Sequence, residues 1–357
     1  MFTETRKPRL RDKLLRSPLM SVLTGPHGVD SYTELVDPAW TNREARATVL
    51  AVRRQTSRSV TLTLEPNRLG ERMFAGFRAG QHLTLTVEID GRRHTRCYSP
   101  ANGENAGLIE LTIGRHDGGL VSSYLYDHAR AGLVVGLGAP AGDFTLDSAA
   151  QRVLLISGGS GITPVLSMLR TLRARGTATE IAFVHYARGP EDVSYARELA
   201  AMADVRVLFG YTRAAGGDLV GRLDAGHLDA AMTDPDAVYV CGPRGLVDAV
   251  RSHHPSARSE SFVPPVFAVP AETSGGRVSF TDSAVSVDDD GRPLLQQAED
   301  AGLQPQSGCR MGICNTCTRR KTRGAVQNLT TGAVSTADDE DVRICVSVPV
   351  GDVDIAL

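Results

Sequence analysis

Three cysteines close together and a fourth far downstream are the residues here whose types and spacing could do chemistry. Cys309, Cys314 and Cys317 stand in a C-x4-C-x2-C spacing inside G-C-R-M-G-I-C-N-T-C, and Cys345 follows near the C-terminus. Four thiolates so spaced hold a two-iron, two-sulfide cluster: a tight loop brings three sulfurs to one side and points backbone N–H groups at the sulfides. Gly308 and Gly312 suit such a loop, because glycine reaches backbone angles closed to other residues. A four-cysteine zinc site competes, but structural zinc sites usually pair two short knuckles. A disulfide framework fits less well still, since six cysteines in 357 residues with no secretory leader is a cytosolic pattern.

C-R-M-G-I-C-N-T-C followed by R-I-C-V-S-V resembles the cluster loop of plant-type ferredoxins, over residues 276–357. The elements around it are short: strands R-V-S-F and A-V-S-V, a D-D-G turn, and a helix in P-L-L-Q-Q-A-E-D-A-G. Ahead of them the proline-rich stretch 264–275 reads as a semi-stiff linker.

The remaining chain has room for two further domains. A net charge of −2 sets up no field that points to nucleic acid, and no apolar run approaches the roughly 18 residues of a membrane span. A cytoplasmic monomer is expected. Residues 4–16 hold six basic and two acidic side chains, a local net of +4, within a leader over 1–42. Such a tail is either solvated or a basic arm that touches an anionic membrane surface, peripherally at its inner face, or an acidic redox partner.

From Arg46 the hydrophobic period is two: A-T-V-L-A-V, S-V-T-L-T-L-E, H-L-T-L-T-V-E-I, H-T-R-C-Y-S, I-E-L-T-I and L-V-V-G-L. Six short runs between turns predict a small antiparallel β-barrel over 43–148. Its fourth run carries R-x-Y-S, in which alternation sends Arg96 and Tyr98 to one face, Cys97 and Ser99 to the other. G-G-L-V-S-S then opens a short helix, a ready anion site. Together the two motifs resemble the flavin domain of the ferredoxin-NADP reductase family. The resemblance implies FAD, with Tyr98 packed on the isoalloxazine, Ser99 near N5, Arg96 on a phosphate, and Gly119, Val121 and Ser122 holding the pyrophosphate.

The period then changes. V-L-L-I-S, a continuous apolar strand, runs into G-G-S-G-I-T-P and a helix, the opening of a doubly wound α/β nucleotide domain over 149–263. Strand E-I-A-F-V-H-Y, helix D-V-S-Y-A-R-E-L-A-A-M, strands V-R-V-L-F-G-Y and A-V-Y-V, and C-G-P-R-G-L continue the alternation. Both glycine motifs match the pyridine-nucleotide domain of the same family. The resemblance implies that Gly158, Gly159 and Gly161 face the dinucleotide, that Thr163 sits at the flavin edge, and that Cys241, with Gly242 and Pro243, lies at the nicotinamide; Tyr98, Ser99 and Cys241 become the catalytic candidates. The second strand ends without a carboxylate before Glu191, so Arg188, with Arg213 beside it, reads as a 2'-phosphate partner and NADPH as the donor in preference to NADH.

NADPH gives electrons in pairs, a cluster accepts them singly, and a flavin converts one into the other. The domain order resembles that of phthalate dioxygenase reductase, and the whole with its leader is similar to actinobacterial NADPH oxidoreductases. The expected function is transfer from NADPH through FAD and the [2Fe-2S] cluster to a separate oxygenase, desaturase or hydroxylase, such as a fatty-acyl desaturase or alkane monooxygenase. Two alternatives stand beside it: an NADH-dependent reductase of a ring-hydroxylating oxygenase, and a flavin reductase with a zinc-held or redox-sensing interaction module.

Overall fold

Alternating apolar side chains bury one face of a strand, and the six period-two runs all form strands. They are Arg46–Thr56 (β1), Ser59–Pro66 (β2), Leu83–Ile89 (β3), Arg92–Tyr98 (β4), Ile109–Gly114 (β5) and Val134–Leu137 (β6). All pair antiparallel, in the order β4-β3-β6-β1-β2-β5. Val49, Leu62, Leu64, Leu85, Ile109 and Leu111 are wholly buried in the barrel-like core, each stabilising it by roughly 1.5–3 kcal/mol. The computed structural model describes residues 30–147, 149–176, 179–262, 275–308, 310–312 and 315–357. Most of the basic leader, nearly all of the linker, and Cys309 and Cys314 therefore lie outside the described residues.

A helix that the sequence pattern did not suggest, Arg68–Phe74, follows β2. Asn67 caps it, accepting from Gly70 N at 2.9 Å, while its amide donates to Glu44 O at 3.0 Å and so ties the chain ahead of β1 to the barrel.

The nucleotide domain is a parallel sheet of Arg152–Gly158 (β7), Glu180–Ala187 (β8), Arg206–Tyr211 (β9), Leu219–Val220 (β10), Ala237–Cys241 (β11) and Arg258–Glu260 (β12), in the order β10-β9-β8-β7-β11-β12. Its apolar runs are continuous because both faces are covered. Val153, Leu155 and Phe183 enter one core, and Leu154, Ile156 and Val184 the other. Order reverses between β7 and β11, the place where open α/β sheets leave a crevice for ligands.

The run from Asp192 to Met202 is helical only over Ala196–Ala200. Pro190 starts a short 3-10 turn, and Tyr195 adopts a left-handed φ of 63°. The barrel holds it there: Tyr195 N donates to Gln55 Oε1 at 3.1 Å, and its phenol lies 2.5 Å from Thr112 Oγ1. Tertiary anchoring thus overrides helix propensity. Beside it Arg170 joins the two domains, bonding Glu198 at 2.7 and 2.6 Å and Glu110 at 2.9 Å.

The C-terminal unit is α+β. Arg277–Phe280 (β13), Val285–Asp288 (β14), Thr318–Asn328 (β15), Val334–Ser335 (β16), Glu340–Arg343 (β17) and Ser347–Ala356 (β18) form a mixed sheet, with β13 and β18 parallel. Leu294 and Leu295 of helix Leu294–Asp300 pack into its core.

Candidate functional site

The C-terminal end of β4 opens onto a cavity of about 280 Å³ at the meeting of all three units. The barrel contributes Arg96, Tyr98 and Ser99 from β4 and its end, and Gly119, Val121 and Ser122 from the glycine turn; the nucleotide domain contributes Ser160, Thr163, Glu260 and Phe262. Met311, from the cysteine loop, lines the same cavity. A hydrogen bond from Arg92 to Gln304 joins the C-terminal unit to the barrel nearby.

Arg96 and Tyr98 pair with Leu85 and Leu83 of β3, so both stand on the core side of the sheet, and Cys97 pairs with Thr84. Alternation turns Cys97 from that face, yet it lines the cavity too. Its strand lies at the sheet edge, where side chains of both faces reach the space beyond. Burial pushes the Tyr98 phenol up, against a smaller opposite effect of the Arg96 guanidinium, and the ring stays neutral.

Two observations test whether a flavin nucleotide fits. Ser99 Oγ is buried and finds no partner among the described residues, and a buried hydroxyl needs one. Helix Leu120–His128 begins at Gly119 with no side-chain cap, leaving its first N–H groups for an anion. A Cβ on Gly119 would come within 2.5 Å of Ser122 Oγ and 3.2 Å of His116 O, so a side chain here would push Ser122 aside. The residues fit.

The nucleotide crevice is built of backbone. A Cβ on Gly161 would lie 2.2 Å from Cys241 O, and one on Gly242 3.1 Å from Gly158 N. The turns after β7 and β11 therefore pack backbone against backbone, with Leu246 and Pro243 beside Gly158. Gly159 takes a left-handed φ of 55°, and a Cβ added there would meet open space. Helix Ile162–Arg175 starts at Gly161, also without a side-chain cap. Cys241 is wholly buried; desolvation, and secondarily Glu260, push its thiol well up, so it is an uncharged group. Arg188 and Arg213 are exposed at the ends of β8 and β9, where Arg213 N donates to Arg188 O at 2.9 Å. They stand together but off the flavin cavity.

Cys317 and Cys345 are buried in one core with Phe280, Ile344 and Val346. Arg310, Gly312 and Asn315 have left-handed φ of 57°, 73° and 56°. A Cβ on Gly312 would come within 2.8 Å of Val346 Cγ2, and Gly312 O accepts from the Arg343 guanidinium. The donor chemistry and the loop fit a cluster. The motifs did not contain His82, Thr112, His116 or Glu260, which also line the cavity.

Comparison with known proteins agrees with this division. Residues 51–146 match the oxidoreductase FAD-binding domain, residues 155–252 the oxidoreductase NAD-binding domain, and residues 279–350 the 2Fe-2S iron-sulfur cluster binding domain. An NADPH oxidoreductase of Mycobacterium tuberculosis is 35% identical over 92% of this chain and 89% of its own length. A glycine betaine monooxygenase reductase subunit of Pseudomonas aeruginosa is 32% identical over 78% and 86%. Among solved structures, phthalate dioxygenase reductase superposes with a TM-score of 0.59 at 25% identity, over 88% of this chain and 98% of that one.

Proposed function

Since this chain belongs to the ferredoxin-NADP reductase superfamily, as a three-domain flavin, nucleotide and [2Fe-2S] oxidoreductase in the order of phthalate dioxygenase reductase, we propose that it passes electrons from NADPH to a separate oxygen-activating partner. The observation that carries the reading is the shared cavity: Met311 of the cluster loop, Tyr98 of the barrel and Thr163 of the nucleotide domain line one space. A flavin bound there supplies the conversion between paired electrons from NAD(P)H and single electrons for the cluster.

The chain's own residues bind and orient. Tyr98 gives the ring a neutral aromatic wall, Ser99 offers its unpartnered hydroxyl, and Arg96 with Gly119, Val121 and Ser122 takes the phosphates. Gly158, Gly159, Gly161 and Thr163 on one turn, and Cys241, Gly242 and Pro243 on the other, admit the nicotinamide end. Neutral Cys241 and Tyr98 add no charge beside it. Cys309, Cys314, Cys317 and Cys345 would hold the cluster. Arg188 and Arg213 receive a 2'-phosphate, which favours NADPH, as does the name of the mycobacterial relative.

A fatty-acyl desaturase or an alkane or other monooxygenase is the partner class we favour; the monooxygenase reductase among the relatives supports the broader class. The chain works as a monomer, its units taken as 43–148, 149–263 and 276–357, and the leader gives peripheral membrane contact. No helix among the described residues is long and apolar enough to cross a membrane. Iron, acid-labile sulfide and flavin analysis tests the core of this reading, and reconstitution with candidate desaturases and oxygenases tests the partner. Zinc without sulfide would remove the conduit; dye reduction without substrate oxidation by any candidate would remove the partner class.

A further inference from the structure

The helix Ile162–Arg175 begins at the nucleotide crevice and runs along the barrel, and one line of its side chains makes the contact. Thr163, Ser167 and Thr171 are spaced four residues apart, so they stand on one face of the helix. All three are buried, Ser167 wholly so. Thr163 lines the flavin cavity. One turn on, Ser167 Oγ donates to Asn102 O at 2.6 Å, and a turn further Thr171 Oγ1 accepts from Glu104 N at 3.0 Å. Arg170 donates to Ala101 O at 2.8 Å. A Cβ on Gly103 would come within 3.3 Å of Thr171 Oγ1, so loop and helix lie in close contact.

The loop that receives these bonds is the continuation of β4. Only Pro100 and Ala101 separate Asn102 from Ser99 on the cavity wall. It cannot slide, because β5 pins it: Ala101 N donates to Glu110 O and Glu110 N to Asn102 Oδ1, both at 2.8 Å. Each side of the joint is thus a short arm that ends at the cavity, from Asn102 back to Ser99 and from Ser167 back to Thr163. Neither Ser167 nor Asn102 belongs to the glycine turns or to R-x-Y-S.

We propose that Ser167 is a positioning residue for hydride transfer: its bond to Asn102 O fixes the first turns of the helix against the Tyr98 and Ser99 end of β4, and with them the approach of the nicotinamide to the flavin. The inference rests on the flavin and nucleotide reading of these sites. The hydride, one proton with two electrons, passes from NADPH, which becomes NADP+, to the oxidised flavin. A misplacement of about 1 Å in such a pair costs on the order of a hundredfold in rate. Arg170 and Thr171 hold the domains together further along the helix, so losing the Ser167 hydroxyl loosens the crevice end without parting the domains.

Rapid-reaction spectroscopy of the holoprotein, following flavin bleaching by NADPH, tests it. Ser167→Ala slows hydride transfer about tenfold, while its flavin content, its reduction by dithionite and its dissociation constant for NADP+ stay at the parent values. Ser167→Cys, whose thiol is a weaker donor, is slowed about threefold. Arg173→Ala, on the same helix but paired with Asp204 of its own domain, keeps the parent rate. Hydrogen exchange gives a readout without turnover: in Ser167→Ala the amides of residues 165–169 exchange faster and those of 171–175 do not. A parent-like rate in Ser167→Ala, a loss confined to NADP+ affinity, an equal slowing in Arg173→Ala, or exchange raised evenly along the helix would overturn the proposal. Should Ser167→Ala not fold, Ser167→Cys decides alone, because a parent-like rate there sinks the idea. A parent protein that lacks flavin, or whose flavin neither NADPH nor NADH reduces, would instead be a failure of the flavin reading.

Discussion

Ser157 Oγ and His185 Nδ1 lie 2.8 Å apart on adjacent parallel strands, wholly inside the nucleotide domain. The far nitrogen of the ring, Nε2, has no partner among the described residues. Desolvation lowers the imidazole to about 4, against about 6.5 in an unfolded chain. The unfolded state then binds more protons between those values, so stability is intact above pH 6.5 and falls as the pH drops toward 4. The loss from this one group is about 2 kcal/mol at pH 5. Urea midpoints at pH 7.5 and 5 for the parent and His185→Asn measure it. The variant, which retains a donor for Ser157, loses less stability on acidification; parallel losses would refute the assignment.

Gly161 and Gly159 sit two positions apart in one turn and predict opposite severities. A Cβ at 161 meets the backbone of Cys241, which cannot yield, whereas at 159 only the left-handed φ matters. Gly161→Ala is therefore expected to destabilise by about 2–3 kcal/mol and to raise the KM for NAD(P)H, and Gly159→Ala by about 1 kcal/mol. Thermal unfolding with steady-state kinetics checks the order. Equal effects would mean that the two glycine turns do not meet as described.

The same contrast explains what the sequence made legible. Period two in I-E-L-T-I buries Ile109, Leu111 and Ile113 because one side of β5 faces the core, and the unbroken V-L-L-I buries every side chain because both faces of β7 are covered. Glycine turns and cysteine spacing are local, and they lead to the cavity and the cluster loop. His82 and Glu260 could not be found this way: each is ordinary in its own stretch, and only the β-bridge of His82 to Ala141 and the pairing of Glu260 with Cys241 bring them to the cavity. Alternation turns Cys97 from the face of Arg96 and Tyr98, yet at the sheet edge its side chain reaches the cavity as well. The shortened helix around Tyr195 has a similar cause, since Thr112 and Gln55 lie in another domain.

Arg213 N donates to Arg188 O, which brings the two exposed arginines to one corner of the nucleotide domain. A 2'-phosphate held there gains a charge-assisted hydrogen bond. Arg188→Ala should lower kcat/KM for NADPH about tenfold or more while changing that for NADH little. Arg213→Ala acts in the same direction. Equal losses with both nucleotides would remove Arg188 from the 2'-phosphate role.

Lys321 is wholly buried in the C-terminal unit, where Nζ donates to Gly324 O at 2.6 Å and to Ala337 O and lies 3.1 Å from Glu340 Oε1. It thus joins β15 to the loop ahead of β17 and to β17 itself, the strand that leads into Cys345. Removing one member of a buried charged group strands the rest: Lys321→Met leaves two carbonyls without their donor and the Glu340 carboxylate with Ser335 but no cation, a loss of about 3 kcal/mol. Because the barrel has its own core, the damage should stay in the cluster unit. Heating is expected to bleach the cluster absorption of Lys321→Met several degrees below the parent, while flavin release keeps its temperature. Pairing the change with Glu340→Leu removes the stranded charge and should restore part of the difference. If both chromophores were lost together, the three units would unfold as one.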